Sequence, residues 1–498
     1  MTEATIGGVG KSSAGLVAPG PRGLPYFGSV FPAWRDPLSF FTSVQKDHGD
    51  VVRLKFGPYV YYLVSDPDVV KHVLVDNPKG YTKSRNYVGL KITLGEGLLT
   101  SEGDHWRKQR KLAQPAFHRD KLAAFADQMS KATRDMLARW KAEPTGAEVF
   151  DIHIEMMRLT FRIVGLTLFS ADVDGDAKEV GQALDVAMHW ANAYAESMFP
   201  IPPSIPTPAN LRFKKAKKTI DDVVFRLIAE RRAQAAVSGE FGNDLLGMLM
   251  AATGDPEASA EARAGMSDQE LRDEIITMIL AGHETTANLL SWTFHLLARH
   301  PEVEQRVREE AVRVLGDRDP VLEDVKSLSY TRLVIEEGLR LYPPAWVFER
   351  QAIAADTLGG YPIEKGAIIG ICPYVIHRHP DHWEEPERFD PERFLPERSA
   401  GRARYAYIPF GGGPRTCVGN HFAMMEAQIL LAMIVREQRL DLVASQPAVL
   451  DPVITLRPKS GIKVTRTPAS SSAAAPAARG SSGYPAPRTP SAPRAAPL

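Results

Sequence analysis

The stretch "FGGGPRTCVG", Phe410–Gly419, decides how this sequence is read. Four glycines and a proline disfavour helix and strand alike. Inside this tight loop sit an arginine, Arg415, and Cys417, one of only two cysteines in the chain. A lone thiol there has three readings. It is a buried, inert cysteine. It is a nucleophile paired with His421, four residues on. Or it is a thiolate metal ligand, with glycines letting backbone approach a flat group and loop N–H groups aimed at sulfur. The positive end of a helix opening near Asn420 then adds to the loop, and both effects are expected to lower the thiol pKa.

Two cysteines, Cys372 and Cys417, exclude a disulfide framework and four-cysteine zinc or iron–sulfur sites, and fit a reducing cytoplasm. The loop is not a phosphate loop, since no G-K-[ST] follows its glycines, and no C-x-x-C-H marks covalent haem attachment. The 498 residues are 44% hydrophobic and 24% charged, an ordinary globular composition, with 60 cationic and 60 anionic side chains. That balance gives no sign of nucleic acid. No run approaches the ~18 apolar residues of a membrane helix, and no signal peptide opens the chain. A cytoplasmic protein without a membrane anchor is expected.

Composition divides the chain into a flexible lead (1–17), a continuous body (18–466) and a disordered Ala/Pro/Ser-rich tail (467–498). Within the body, "VVRLKFGPYVYYLVSD" alternates about Gly57-Pro58 as a β-hairpin, and "LGGYPIEKGAIIGICPYV" reads as further strand. Helical periodicity covers Lys121–Lys141, Asp222–Val237, Glu302–Leu315, Tyr330–Leu341 and Asn420–Gln438. The expected fold is mainly α with a minor β portion. The longest helix, Ser267–His300, opens on the capping box "SDQE", stops before Pro301, and spans about 50 Å. His189–Phe213 is Pro-rich and reads as a long mobile lid.

Four other patterns bear on chemistry. "AGHETT", Ala281–Thr286, lacks the second histidine of a zinc protease. Thr285 lies one turn after Ala281, so its hydroxyl can bond that carbonyl and loosen the helix, with Gly282 assisting. "EEGLR" places Glu337 and Arg340 on one helix face, and "PERF" supplies Arg393 as a third partner. "HWRKQRKL" sets Trp106 and Arg110 one turn apart, able to offer an N–H and a guanidinium to one anion. The same run, through Arg107, Lys108 and Lys111, is either a solvated basic face or a dock for an acidic partner.

Together these motifs resemble those of the cytochrome P-450 family, the haem-thiolate monooxygenases. Phe410, Gly413, Arg415, Cys417 and Gly419 match F-x-x-G-x-R-x-C-x-G. Ala281, Gly282, Thr285 and Thr286 match A-G-x-x-T-T; Glu337 and Arg340 match E-x-x-R; Pro391–Phe394 match PERF; Trp106 and Arg110 match W-x-x-x-R. The resemblance covers residues 18–466 and implies one large haem domain with a long central helix over the haem. It implies Cys417 as axial ligand of a noncovalent haem b, Phe410 beside the sulfur, and Trp106, Arg110, Arg350 and Arg415 at the propionates. Ala281 stands where some relatives carry a haem-linking Glu. Glu284 and Thr285 resemble the acid–alcohol pair that delivers protons during O2 activation. Glu337, Arg340 and Arg393 resemble a structural triad bracing the Cys loop. Leu99 and Ala345 are implied at the substrate pocket, both small enough to leave room. Similarity to bacterial fatty-acid hydroxylase haem domains leaves Tyr62 as a phenol partner for a carboxylate. The implied reaction inserts one oxygen atom from O2 into a C–H bond of an apolar fatty acid, terpenoid, steroid or polyketide-like molecule. A ferredoxin or flavodoxin with its NAD(P)H-dependent reductase is expected to supply electrons to a monomer. The alternatives are a cysteine-dependent hydrolase using Cys417 and His421, and a non-catalytic haem-binding sensor.

Overall fold

The computed structural model describes residues 17–142, 146–197, 199–251 and 266–469. The expected flexible lead lies outside them apart from Val17, and the expected tail lies outside them from residue 470. The tail boundary at 467 moves outward: Lys463–Pro468 is a strand, and the Ala469 N–H donates to the Glu437 carbonyl at 3.0 Å.

Helices make up most of the structure, and strands are short. The predicted hairpin is Val51–Phe56 against Tyr59–Val64, with Phe56 opposite Tyr59. Tyr59–Val64 then pairs in parallel with Ile368–Ile371, which is followed by Phe348–Ala352 and Tyr81–Thr82. Alternation along Tyr59–Val64 sends Tyr61 and Leu63 into the main core and Tyr62 and Val64 into a second apolar cluster on the other face. This parity corrects the expectation for Tyr62. Its hydroxyl donates to Glu364 Oε2 at 2.7 Å, so it serves an ion pair between Glu364 and Arg53. The phenol on the main-core face is Tyr61, edge-on to Phe56.

The central helix runs from Asp268 to Arg299. Ser267 and Glu270 form the predicted capping box, each side chain taking the other residue's N–H. From Leu271 to Leu297 every residue is buried except Ala281, Gly282 and Thr285, which line a hollow on one face. The helix is continuous through this motif, so the expected loosening does not break it. Its carbonyls nonetheless carry side-chain donors in succession. Thr285 bonds Ala281 O at 2.6 Å, Thr286 bonds Gly282 O at 3.2 Å, and Thr160 bonds His283 O at 3.0 Å. Gly282 has a second task beyond the one expected: a Cβ there would sit 2.9 Å from Val164 Cγ2, so only glycine lets helix Ile152–Leu168 pack this close.

The other predicted helices are present as Arg119–Ala142, Pro301–Leu315, Ser329–Leu341 and Asn420–Glu437. Asp222–Val237 proves to be the latter half of Pro208–Ser238. That helix and Ala177–Glu196 absorb both ends of the expected lid, leaving a connection only between Glu196 and Pro208. The connection is tied down. Asn210 Nδ2 donates to Pro202 O at 2.9 Å and Ile205 O at 2.8 Å, while its Oδ1 accepts from Trp190 Nε1. Trp190 in turn stacks on Phe213, ring centres 3.9 Å apart.

Candidate active site

The thiol loop crosses directly beneath the segment His72–Asp76. Gly413 has φ +67°, and a Cβ on it would lie 1.9 Å from Leu74 O, so no other residue fits. The Cys417 N–H donates to Phe410 O at 3.0 Å and closes the loop; Thr416 Oγ1 bonds Gly413 O at 2.7 Å. Phe410 and Val418 pack on the main core beside the thiol. Cys417 is accessible although protein surrounds it on all sides, as expected of a side chain lining an interior hollow. The expected drop in its pKa does not occur. Burial raises the thiol pKa, and the Gly419 N–H and Arg110 charge only partly offset it. A cation at sulfur is what would hold this thiol as thiolate. Among the described residues no hydrogen bond joins Cys417 to His421, an exposed residue, so the thiol–imidazole reading has no geometric support.

Beside this loop the chain gathers cations. Arg415 stacks on the Trp106 ring, 4.3 Å from its centre, and donates to Glu102 Oε2 at 2.6 Å and Ser101 O at 2.9 Å. Arg110 Nη1 donates to Thr416 O at 2.9 Å. The structure therefore pairs Trp106 with Arg415, and turns Arg110 onto the thiol loop. Arg350 faces the same region, and its charge opposes protonation of both Arg415 and Lys83. Lys83 was not legible in the sequence, where nothing marks "YTKSRNY". Burial first, then repulsion by Arg350 and Arg415, hold its ammonium well below the usual lysine range, and Glu102 compensates only in part. One carboxylate among four cations is an arrangement that favours a further anion.

On the central helix, Thr285 and Ala281 keep access on an otherwise buried stretch. Glu284 turns aside: its Oε1 accepts from the Thr455 hydroxyl at 2.5 Å, on a hairpin formed by Leu450–Pro452 and Leu456–Pro458. His283 is buried, its ring bonded to Ile279 O and set edge-on to Phe161, and burial lowers its pKa; it is a packing residue. Ala345 is exposed between buried Pro344 and Trp346, and Leu99 is half-buried against the core.

Glu337, Arg340 and Arg393 are brought together and buried. Arg340 donates to Glu337 Oε2 at 2.6 Å and Oε1 at 2.8 Å, and both side chains are fully buried. Arg340 also donates to the carbonyls of His377, Pro386 and Arg388. Arg393 Nε lies 3.4 Å from Glu337 Oε1 as an ion pair without hydrogen-bond geometry, while its fork holds the carbonyls of Glu384, Glu385 and Arg388. His377 carries this framework to the thiol loop, its Nε2 accepting the Ile408 N–H at 2.9 Å. Burial, then the charges of Arg340 and Arg378, lower its pKa to about 3, so it is neutral. Sequence reasoning missed His377; only its place between Arg340 and Ile408 identifies it.

A polar surface groove of about 470 Å³ lined by Asp50, Asp66, Asp68, His72 and Tyr361 shares no residue with this site. Among the described residues no group of His, Cys, Asp and Glu is placed to chelate a metal by itself. What the site offers is a single soft sulfur donor in an interior hollow with a nearby excess of cations. That donor set suits a flat dianionic cofactor with a metal centre, with sulfur on the metal and carboxylates on the cations.

The fold and site thus define a helical haem-thiolate protein. Residues 18–466 match the family model "Cytochrome P450". The chain is 36% identical over 427 residues to cyclooctat-9-en-7-ol 5-monooxygenase of Streptomyces melanosporofaciens, covering 84% of this chain and 88% of that protein. It is 35% identical over 429 residues to pentalenene oxygenase of Streptomyces avermitilis, covering 84% and 90%. It is 33% identical to the chloroplastic protein LUTEIN DEFICIENT 5 of Arabidopsis thaliana, covering 84% and 72%. The chain belongs to the cytochrome P450 family. It is a haem b monooxygenase of apolar substrates and depends on a redox partner for electrons. Among the described residues no helix is long and apolar enough to cross a membrane.

Proposed function

We propose that this protein hydroxylates a cyclic terpenoid, using electrons from a separate ferredoxin or flavodoxin and its NAD(P)H-dependent reductase. The observation that carries the substrate class is the pair of relatives named for oxygenating cyclooctat-9-en-7-ol and pentalenene, each aligned over most of the chain. The site residues agree with it. The wall side chains are small or aliphatic at Ala281, Ala345 and Leu99, which leaves width for a ring system. Tyr62 is engaged by Glu364 on the other face of the sheet, so it offers no anchor to a fatty-acid carboxylate.

In this reading Cys417 ligates the haem iron, with Phe410 packed beside the sulfur. Trp106, Arg110, Arg350, Arg415 and Lys83 would hold the propionates, whose charge would offset the burial and the Arg350 and Arg415 repulsion that keep Lys83 below its usual range. Bound haem supplies O2 activation and transfer of one oxygen atom to a C–H bond, and the other oxygen leaves as water with two electrons and two protons. Thr285 donates its one proton to Ala281 O, so in this state its oxygen can accept a hydrogen bond from the hollow, and it passes a proton inward only when that bond is given up. Glu284 replenishes that proton. Glu337, Arg340 and Arg393 keep the thiol loop in place and take no part in the chemistry. Arg107, Lys108 and Lys111 lie on the outer face of helix Gly103–Ala113 as the dock for an acidic electron donor.

The test is titration of the ferric protein with cyclic sesquiterpenes and diterpenes, then with long-chain fatty acids, reading the low-to-high-spin shift of the Soret band. Saturable shifts with terpenes and product bearing one new hydroxyl are expected. Shifts with fatty acids alone would overturn the substrate class. A reduced, carbon monoxide-bound Soret band away from the thiolate position would overturn Cys417 as ligand.

A further inference from the structure

Glu284 and Thr285 are adjacent, yet the structure separates them. Consecutive helical residues point about 100° apart, and here the separation is fixed by partners. Thr285 faces the hollow, on the stripe with Ala281 and Gly282. Glu284 reaches away from it to a residue 171 positions later in the chain, Thr455. The Thr455 hydroxyl is doubly engaged. Asn288 Nδ2, one turn beyond Glu284 on the central helix, donates to Thr455 Oγ1 at 3.2 Å. A hydroxyl has one proton, and with Asn288 as donor to the oxygen that proton goes to Glu284 Oε1. All three side chains are buried. The other carboxylate oxygen, Oε2, has no hydrogen bond among the described residues and keeps some access. The turn bearing Thr455 is pinned on three sides. Trp346 Nε1 donates to Val453 O at 2.8 Å, Trp292 Nε1 to Leu456 O at 3.2 Å, and the Leu456 N–H to Pro344 O at 2.9 Å.

We infer that Thr455 is a positioning residue for proton delivery: through one directed hydrogen bond it anchors Glu284 Oε1 and leaves Oε2 as the oxygen that takes up and passes on a proton. This rests on the acid–alcohol reading of Glu284 and Thr285 above. The anchor removes the side-chain freedom that would let the carboxylate wander, and it holds the acid to one side until a proton is needed. Thr455 touches neither of the reacting partners; its effect runs through Glu284.

The test compares Thr455→Val, Thr455→Ser, Glu284→Gln and the Thr455→Val/Glu284→Gln double variant in the haem-loaded protein. Valine keeps the shape and removes the hydroxyl; serine keeps the hydroxyl. The first readout is independent of turnover: the infrared C–O stretch of the ferrous carbon monoxide complex, which senses polar groups on the distal side. Thr455→Val should shift or broaden that band, and Thr455→Ser should restore it. The second is the solvent deuterium isotope effect on oxygen consumption with the ratio of hydrogen peroxide to product. Loss of this one anchoring hydrogen bond corresponds to roughly a tenfold fall in coupled turnover, with a larger isotope effect and more peroxide. In the Glu284→Gln background the Thr455→Val change should add nothing further. A merely substrate-contacting Thr455 would change the spin-shift titration and leave the isotope effect alone, which overturns the proposal. Wild-type band, isotope effect and peroxide ratio in Thr455→Val overturn it as well. If Thr455→Val does not load haem, Thr455→Ala, which also removes the hydroxyl, decides in its place: a wild-type isotope effect and peroxide ratio there would sink the proposal. The underlying reading fails separately, by unchanged coupling in Thr285→Ala.

Discussion

Replacing Arg340 with lysine keeps the charge and should still cripple the protein. The guanidinium makes five hydrogen bonds in a fully buried setting, two to Glu337 and one each to the carbonyls of His377, Pro386 and Arg388. A lysine ammonium has three donors on a single atom and no fork. At least two acceptors therefore lose their partner with no water to replace it. At about 1–3 kcal/mol for each unsatisfied buried group, the cost is roughly 2–6 kcal/mol, against a usual domain stability of about 5–15 kcal/mol. The damage should also be local. His377 O is held by Arg340, and the His377 ring accepts the Ile408 N–H two residues before Phe410. Loosening one end of that chain unlocks the thiol loop. The assay is urea unfolding followed by circular dichroism, together with Soret absorbance per chain after purification. Arg340→Lys should show a lowered midpoint and little haem. A variant with wild-type midpoint and full haem content would refute the argument that this buried fork braces the loop.

Gly282→Ala places a Cβ 2.9 Å from Val164 Cγ2 and should destabilise by about 1–3 kcal/mol through overpacking; thermal melts should show Val164→Ala rescuing it. Lys83→Met should have opposite effects on the two forms: it removes a buried cation repelled by Arg350 and Arg415, so the haem-free protein melts higher, while haem transfer to a competing apoprotein becomes faster. Glu274 is wholly buried, and burial raises its pKa to about 7, the Leu98 N–H opposing this only in part. A folded-state pKa raised above the unfolded value gives stability that is present below about pH 4.3 and lost as pH rises through 7. Glu274→Gln should therefore come closest to the wild type at pH 4 and melt progressively higher than it as pH rises to 8; the same difference at both would refute it. Asp356 is the reverse case: burial opposes its ionisation, but donors from Tyr81, His72 and Asn77 lower its pKa to about 2. Its stabilisation is present above about pH 3.9 and lost as pH falls towards 2, so Asp356→Asn should flatten the acid limb of the stability profile measured between pH 4 and 2.

Short-range chemistry was legible without the fold. The capping box at Ser267 and Glu270, the Thr285 bond to Ala281 O and the hairpin at Gly57-Pro58 each involve residues a few positions apart, where local geometry alone sets who meets whom. The loop at Cys417 was likewise evident, because so few roles suit a thiol among glycines. Local reasoning erred where a single-residue choice depends on the partner. Tyr61 and Tyr62 are indistinguishable in composition, and only pairing with Ile368–Ile371 decides which faces the main core. The predicted mobile lid became two helix ends and a pinned turn, because Trp190 and Asn210 find each other across it. The thiol's pKa shifts up rather than down because burial outweighs the Gly419 N–H and the Arg110 charge, and burial is a property of the whole packing.

The sequence by itself determined the family and the motifs around Cys417 and Thr285, since these are patterns whose members lie within one turn or one loop. Only the tertiary structure decided that Lys83 joins Arg350 and Arg415, that His377 links Arg340 to the thiol loop, and that Thr455 holds Glu284. These pairs stand up to about 330 positions apart in the chain, and no periodicity or spacing encodes such distances. Their geometry exists only once the apolar core has brought the segments together, because directional hydrogen bonds and buried charges take their strength from the dry surroundings that packing creates.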